Sequence, residues 1–456
     1  MSNKSPLRIA VVGHTNTGKT SFVRTLLQNT SFGDVSDRPS TTRDVRKAEL
    51  YLDQQVIMEI YDTPGLEDGL GLYHYIDSNQ SSSATLRHNG PEQIRLFLAS
   101  PAAQDQFEQE AKVLRQLLLS DAAFYLIDCR DPVLPKYQDE LDILRRCGKP
   151  ILPVLNFTAH PQHHADEWKQ ALAHVNLHGW VEFDTVSLPE KGDQQLFDHL
   201  ATLLPNQRQQ LDGIRLQRSQ QVQQRLRAAQ REIAELLLDA AAYSVRVPND
   251  DKDELATTIA LMQRRVVERE QRCVDAILTI FSFPVDSASL QTLAKQKDAW
   301  QAPLFAADTL KEFGIQASKG IVAGGAAGAS VDLMFGGLSL GAGTLLGAAA
   351  GGLWQGWQQY GRRLKHAVQG YADVYIQPEI IRLLAARQQQ LVQLLLRRGH
   401  AAVTPLRLVD EHAEFKEPQR FREFMQRARQ HPQWSSLHAG AFDDSIARSQ
   451  CLRLLE

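Results

Sequence analysis

The stretch Leu7–Leu27 reads LRIAVVGHTNTGKTSFVRTLL, and its reading decides the fold of the first half of the chain. Leu7–Val12 is a short, mostly apolar run, which predicts a buried strand. A glycine loop follows. From about Gly18 the residues Phe22, Val23, Leu26 and Leu27 fall on the apolar side of a helix. Gly13, Gly18, Lys19 and Thr20 complete the pattern G-x-x-x-x-G-K-[ST] between that strand and that helix. Glycines let the main chain curl until its N–H groups point at phosphate oxygens, and the helix N-terminus adds a favourable dipole. Lys19 is expected to bridge the β- and γ-phosphates and Thr20 to ligand Mg²⁺; His14, Thr15, Asn16, Thr17 and Ser21 complete the nucleotide-lining set.

Two further segments narrow the class. A second apolar run, Val56–Tyr61, closes on Asp62-Thr63-Pro64-Gly65. A strand-end aspartate can hold Mg²⁺ through water, and the Gly65 N–H can meet a γ-phosphate. Upstream, RPSTTRDVRKAEL offers Thr42, or Thr41, as a second hydroxyl and carbonyl for Mg²⁺, so Lys19 and Thr42 are the candidate catalytic pair. On GHTNTGKTS, STTRD and DTPGL the sequence resembles the translation-factor-related small GTPases, most closely the TrmE–Era class, over roughly residues 7–205. The resemblance implies an α/β, Ras-like P-loop domain with a mostly parallel sheet and helices on both faces. It also implies GTP hydrolysed to GDP with Mg²⁺ as cofactor. An asparagine at the Asn16 position accompanies a bound K⁺ in some members, although an asparagine that caps the loop reads equally well. Leu66 stands where Ras-type enzymes carry a water-orienting glutamine, which implies slow intrinsic hydrolysis.

The base-reading motif is the departure. DAAFYLIDCRDP predicts a strand ending at Asp128, and a helix then leads to the strand of KPILPVLNF. Asn156 at its end begins the expected Asn-Lys-x-Asp, yet Phe157 and Ala159 replace lysine and aspartate. Losing the carboxylate that pairs with a guanine edge costs about 1.5–3 kcal/mol per charge-assisted hydrogen bond. Phe157 can still stack on a purine, and Val186-Ser187-Leu188 is expected to support the base from its backbone. GTP remains the favoured ligand, with a relaxed purine preference as the alternative.

Residues 66–105 exceed an ordinary switch region, and loops of such length are generally functional or unstructured. Glu67, Asp68, His74, Arg87 and His88 are candidates to position water there, or charges that merely solvate a lid. Beyond the 1–205 domain, helical periodicity with Val222, Leu226, Ala229, Ile233 and Leu236 on one seam predicts a helical segment over 206–312. Six arginines from Arg208 to Arg231 suit anionic lipid, RNA or the ribosome, or simply a solvated face. Residues 313–360 form a glycine-rich apolar stretch, expected as a hairpin of helices from Ile321–Val331 and Leu333–Trp354. Glycines four apart (Gly320, Gly324, Gly328) permit close helix packing, inside a membrane or inside a soluble domain. Basic residues on both flanks, Lys319 and Arg362, suit contact with the cytoplasmic face of an inner membrane. Residues 361–456 complete an all-α C-terminal region with a helix from Pro378, resembling bacterial GTPases that carry a C-terminal helical domain of unknown function.

Bulk composition agrees with this division. A chain of 456 residues is too long for one core, and a net charge of −3 argues against a bulk nucleic-acid binder. Four scattered cysteines lack metal-type spacing and suggest a reducing cytosol, and the first residues lack a signal-peptide apolar region.

Overall fold

The computed structural model describes residues 5–28, 43–52, 54–79, 89–189, 192–248, 252–283, 304–305, 310, 315, 329–331, 371–397, 418–438 and 442–455. The chain divides into two compact units, Met1–Gln223 with Leu396–Pro405, and Gln224–Leu395 with Leu406–Glu456.

The first unit is built on six strands: β1 (Leu7–Val12), β2 (Arg46–Leu52), β3 (Gln55–Asp62), β4 (Ala122–Asp128), β5 (Ile151–Asn156) and β6 (Val181–Glu182). Their order is β2-β3-β1-β4-β5-β6, with only β2 antiparallel to its neighbour. Because strand side chains alternate between faces, β1 feeds two cores. Leu7, Ile9 and Val11 meet Phe22, Val23 and Leu26 of helix α1 (Lys19–Leu27), while Ala10 and Val12 belong to the opposite core. With both faces covered, β4 and β5 are buried along their whole lengths, which is why they read as continuous apolar runs.

The opposite core holds the long insertion. It folds as α2 (Gly69–Asn79), α3 (Gly90–Ala99) and a short 3₁₀ turn at Pro101–Ala103, followed by α4 (Glu108–Leu119). Leu72, Ile76, Ile94, Phe97, Phe107 and Leu114 tie these helices to the sheet, with Tyr75, Phe97 and Phe107 ring centroids 5.7–6.2 Å apart. The described residues of the insertion are therefore part of a core and not of an unstructured loop. Helices α5 (Pro135–Arg146), α6 (Ala165–His174) and α7 (Gly192–Leu203) complete the layers.

Helix α8 (Arg208–Ala242) runs across the unit boundary, half-buried at Val222 and Leu226 and buried at Ala229, Ile233 and Leu236. Its early arginines are engaged within the first unit. Arg218 donates to the Leu26 carbonyl at 2.6 Å, Arg215 pairs with Asp198 at 2.9 Å, and Arg208 lies 4.0 Å from Asp212. Three of the six arginines are thus paired within the first unit.

The second unit is helical, as expected, with α9 (Lys252–Ile280), α10 (Pro378–Arg397, its last two residues belonging to the first unit), α11 (Pro418–Gln430) and α12 (Ile446–Leu452). It also contains a three-stranded antiparallel sheet that helical periodicity did not foretell. The strands β7 (Ser244–Pro248), β8 (Ala329–Val331) and β9 (Tyr371–Ile376) run in the order β7-β9-β8. Ala329–Val331 was expected to close the first helix of the hairpin and instead pairs as a strand with β9, which satisfies its main chain between chains of sequence rather than along one. The rest of the 313–360 stretch lies outside the described residues apart from Ile315. No described helix is long and apolar enough to cross a membrane.

Candidate nucleotide site

The site lies at the carboxyl ends of β1, β3, β4 and β5, the crevice where open α/β sheets hold ligands. Gly18, the residue before α1, has φ 88°, and a Cβ there would lie 2.5 Å from Asn156 Nδ2. Only glycine both accepts that backbone and leaves this space. The loop it closes is internally braced: Thr17 Oγ1 donates to the His14 carbonyl at 3.0 Å, and Asn16 takes a left-handed φ of 65° with its side chain exposed.

Lys19 is buried, and its ammonium donates to the carbonyls of Gly13 at 3.1 Å and His14 at 2.7 Å. Burial pushes its pKa down to about 8, opposed by the charges of Asp62, Glu140 and Glu67. A cation desolvated this way is short of anionic partners, and a phosphate tail would supply them. Thr20 Oγ1 donates to Asp62 Oδ2 at 2.6 Å, while Asp62 Oδ1 is buried with no partner among the described residues. Burial also pushes the Asp62 carboxyl above its ordinary value, against the pull of Thr20, Lys19 and Arg46. A hydroxyl and an orphaned carboxylate oxygen side by side form a donor set that fits a hard divalent cation. Ser21 sits half-buried on the first turn of α1. Thr41 and Thr42 lie outside the described residues, as do Arg87 and His88.

The segment after β3 is folded down on the phosphate loop. Thr63 Oγ1 donates to the Val11 carbonyl at 2.7 Å and Leu66 N–H to the Gly13 carbonyl at 3.2 Å. Gly65 packs so closely that a Cβ there would lie 2.6 Å from Thr15 Cα and 2.8 Å from Thr15 N. Backbone atoms cannot yield as a flexible side-chain end can, so Gly65→Ala is expected to part this turn from the loop at about 1–3 kcal/mol. The measurements are thermal unfolding and exchange of the Leu66 amide; an unchanged melting temperature with an equally protected amide would contradict the close approach.

Three buried carboxylates missed by the sequence reading organise the site. Glu110 of α4 accepts the N–H groups of Glu67 at 3.0 Å and Asp68 at 2.9 Å. Glu140 of α5 lies 2.6 Å from His14 Nδ1, and Lys136 Nζ lies 3.0 Å from His14 Nε2. An ammonium can only donate, so Nε2 accepts and Nδ1–H donates to Glu140. Asp184, 2% exposed, accepts from Ala159 N–H at 2.9 Å, Val186 N–H at 2.8 Å and Ser187 N–H at 2.9 Å. The available signal was an acid on the apolar stripe of a helix: Glu110 beside Ala111 and Leu114, Glu140 beside Tyr137 and Leu141.

The residues expected to meet the base lie at the end of β5 and after β6, where they are bonded to other parts of the chain. Asn156 is fully buried and ties three segments together: Nδ2 donates to the Thr17 carbonyl at 2.9 Å, and Oδ1 accepts from Phe157 N–H and Thr185 N–H, both at 2.9 Å, and from Thr185 Oγ1 at 3.1 Å. Phe157 has φ 59°, and its ring lies 3.3 Å from where a Gly18 Cβ would be. The Ser187 and Leu188 amides, expected to support a base, are already donated, to Asp184 and to the Arg397 carbonyl at 2.8 Å. Leu66 is fully buried in the core beside Val12 and Leu72, away from any solvent it could orient. Among the other insertion candidates, Asp68 Oδ1 accepts from Gly71 N–H at 2.8 Å and His74 lines a surface groove with Asp77 and Ser78.

Comparison with known proteins fits this geometry. Residues 8–157 match the family described as "50S ribosome-binding GTPase", and residues 169–456 match "Domain of unknown function (DUF3482)". GTPase Der from Bradyrhizobium sp. (strain ORS 278) is 29% identical over 148 residues, 32% of this chain and 25% of that protein. GTPase Der from a second Bradyrhizobium strain (BTAi1 / ATCC BAA-1182) gives the same identity and spans. The chain thus spans about a quarter of the length of these relatives. Era from Aquifex aeolicus, solved with GDP·AlF4−, is similar at 17% identity over 39% of this chain and 50% of that one. Its TM-score is 0.28, so the fold assignment rests on the sheet order and not on that overlap. With most of its length matched by one family and its phosphate loop by the other, the chain belongs to the DUF3482 family and carries an N-terminal P-loop GTPase domain of the Era/Der type.

Proposed function

We propose that the first unit binds GTP with Mg²⁺ and hydrolyses it slowly to GDP, as a switch of the TrmE–Era class acting on the helical region that follows it. The observation that carries this reading is the Thr20–Asp62 pair with its orphaned carboxylate oxygen, at the end of a loop whose Lys19 is desolvated. Thr20 and Asp62 would hold Mg²⁺, with Thr42 expected to join them, and the ion would neutralise charge on the phosphate oxygens. Lys19 would exchange the Gly13 and His14 carbonyls for phosphate oxygens, and the Gly65 N–H would face the terminal phosphate. Slow turnover is supported by Leu66, whose buried side chain cannot orient water. Asn16, exposed on its left-handed turn, is the residue to which a K⁺ would be assigned.

Single-turnover phosphate release in matched K⁺ and Na⁺ salts tests the proposal. Release is expected in both, faster in K⁺ by about tenfold or more if a cation supplies the charge stabilisation that the missing glutamine does not. Silence in both salts would reduce the protein to a nucleotide-binding scaffold. Ribosome association is a second reading, favoured by the description of the family matched at residues 8–157. Co-sedimentation with large ribosomal subunits that weakens steeply with salt would support it.

A further inference from the structure

The loops after β4 and β5 leave the sheet side by side, because Asp128 and Asn156 are register partners at the ends of those strands. Out of the first loop comes Arg130, whose guanidinium is held flat by Asp128: Nε lies 2.9 Å from Oδ1 and 3.2 Å from Oδ2, and Nη2 lies 2.6 Å from Oδ2. Out of the second comes Phe157, and Arg130 Cζ lies 3.9 Å from its ring centroid. The ring stands beside Gly18, directly alongside the loop assigned to the phosphates. A forked carboxylate–guanidinium pair fixes the orientation of a flat cation, and a cation against an aromatic face is itself attractive. The result is a braced aromatic plane where a base joined to those phosphates would lie.

On the side of the base edge, the main-chain donors are already spent. Ala159 carries no side-chain oxygen, and its N–H is donated to Asp184. The Val186, Ser187 and Leu188 amides are all donated within the protein. Edge recognition needs free donors and acceptors, whereas stacking is indifferent to edges because every base has a π face.

We propose that Arg130, clamped by Asp128 against Phe157, is a base-site residue, and that this plane binds purine nucleoside triphosphates by stacking on the face of the base, with guanine and adenine accepted alike. The inference rests on the nucleotide reading above and names the ligand class of that same site. Arg130 covers one face of the Phe157 ring and the base stacks on the other. The cation behind the ring holds it in place and draws its electron density, which favours an electron-rich purine in front.

Titration calorimetry of the full chain with Mg²⁺ and GTP, ATP or inorganic tripolyphosphate separates the parts. Tripolyphosphate carries the phosphate chemistry and no base. In the wild type GTP and ATP are expected to bind within about threefold of each other, and both more tightly than tripolyphosphate. Phe157→Ala is expected to weaken GTP and ATP by about tenfold or more while leaving tripolyphosphate unchanged. Phe157→Tyr should restore both, and Arg130→Ala should weaken both nucleotides in the same ratio, by less than Phe157→Ala. A wild-type preference for GTP over ATP of about a hundredfold or more would overturn the inference, because only edge reading delivers it. Equal weakening of tripolyphosphate by Phe157→Ala would overturn it too, since a collapsed loop and not a lost stack would then be responsible. If the wild type bound none of the three ligands, the nucleotide reading would fall and take this inference with it.

Discussion

Lys19→Ala is expected to lose triphosphate binding by about a hundredfold or more while melting no lower than the wild type. The first half follows from two charge-assisted hydrogen bonds to phosphate, each worth about 1.5–3 kcal/mol, with about 1.4 kcal/mol for each tenfold in affinity. The second half follows from burial. In the free protein the ammonium is desolvated until its pKa falls to about 8, and its hydrogen bonds go to the Gly13 and His14 carbonyls. Removing a charge held at such a cost relieves the fold, so lost binding accompanied by retained stability identifies a binding residue. Lys19→Arg is no conservative control, because a planar fork replaces a compact point charge. Fluorescence titration with a labelled GTP and thermal unfolding without nucleotide are the two measurements. Binding of the variant within about threefold of the wild type would remove the phosphate loop from the account altogether.

Asn156→Ala is expected to give the largest loss of stability among the site variants. Its side chain makes four hydrogen bonds, to Thr17, Phe157 and twice to Thr185, with no exposure to solvent. Truncation strands a carbonyl, two N–H groups and a hydroxyl, and an unsatisfied buried group costs about 1–3 kcal/mol. Relaxation and entering water recover part of this, leaving a loss of about 3–5 kcal/mol, at the upper end for single substitutions. For a unit of this size that lowers the melting temperature by about 6–20 °C. Because the Nδ2–Thr17 bond also tethers the phosphate loop, nucleotide affinity is expected to fall with it. A shift of less than about 2 °C by calorimetry would mean that the loops hold one another without this amide.

These two expectations differ in how far the sequence anticipated them. Lys19 was legible because the loop's chemistry is local: strand, glycine turn, lysine and helix lie within 21 residues, and β1 and α1 appear at Leu7–Val12 and Lys19–Leu27. Periodicity likewise placed β4 to its end at Asp128 and the start of α10 at Pro378, and α9 lies inside the helical segment expected over 206–312. Asn156 was expected among the residues that meet a base. In the structure it is a brace whose partners Thr17 and Thr185 lie 139 and 29 residues away.

What the amino-acid order determined by itself is the set of features that short-range sterics and burial impose: which segments are strands, where the glycine loop must curl, and that Ala159 brings no carboxylate. What only tertiary structure decided are pairings between residues remote in the chain. Glu110 caps the turn after β3 from 42 residues away, Glu140 reaches His14 across 126, and Asp184 takes up the amides of both base loops. The three-stranded sheet of the second unit is of the same kind, with β7 joined to β9 across 127 residues at Arg246 and Asp373. Secondary structure follows from periodicity that any window of sequence contains. The partner of a buried charge or of an edge strand is fixed by packing, and packing brings together residues that no window holds at once.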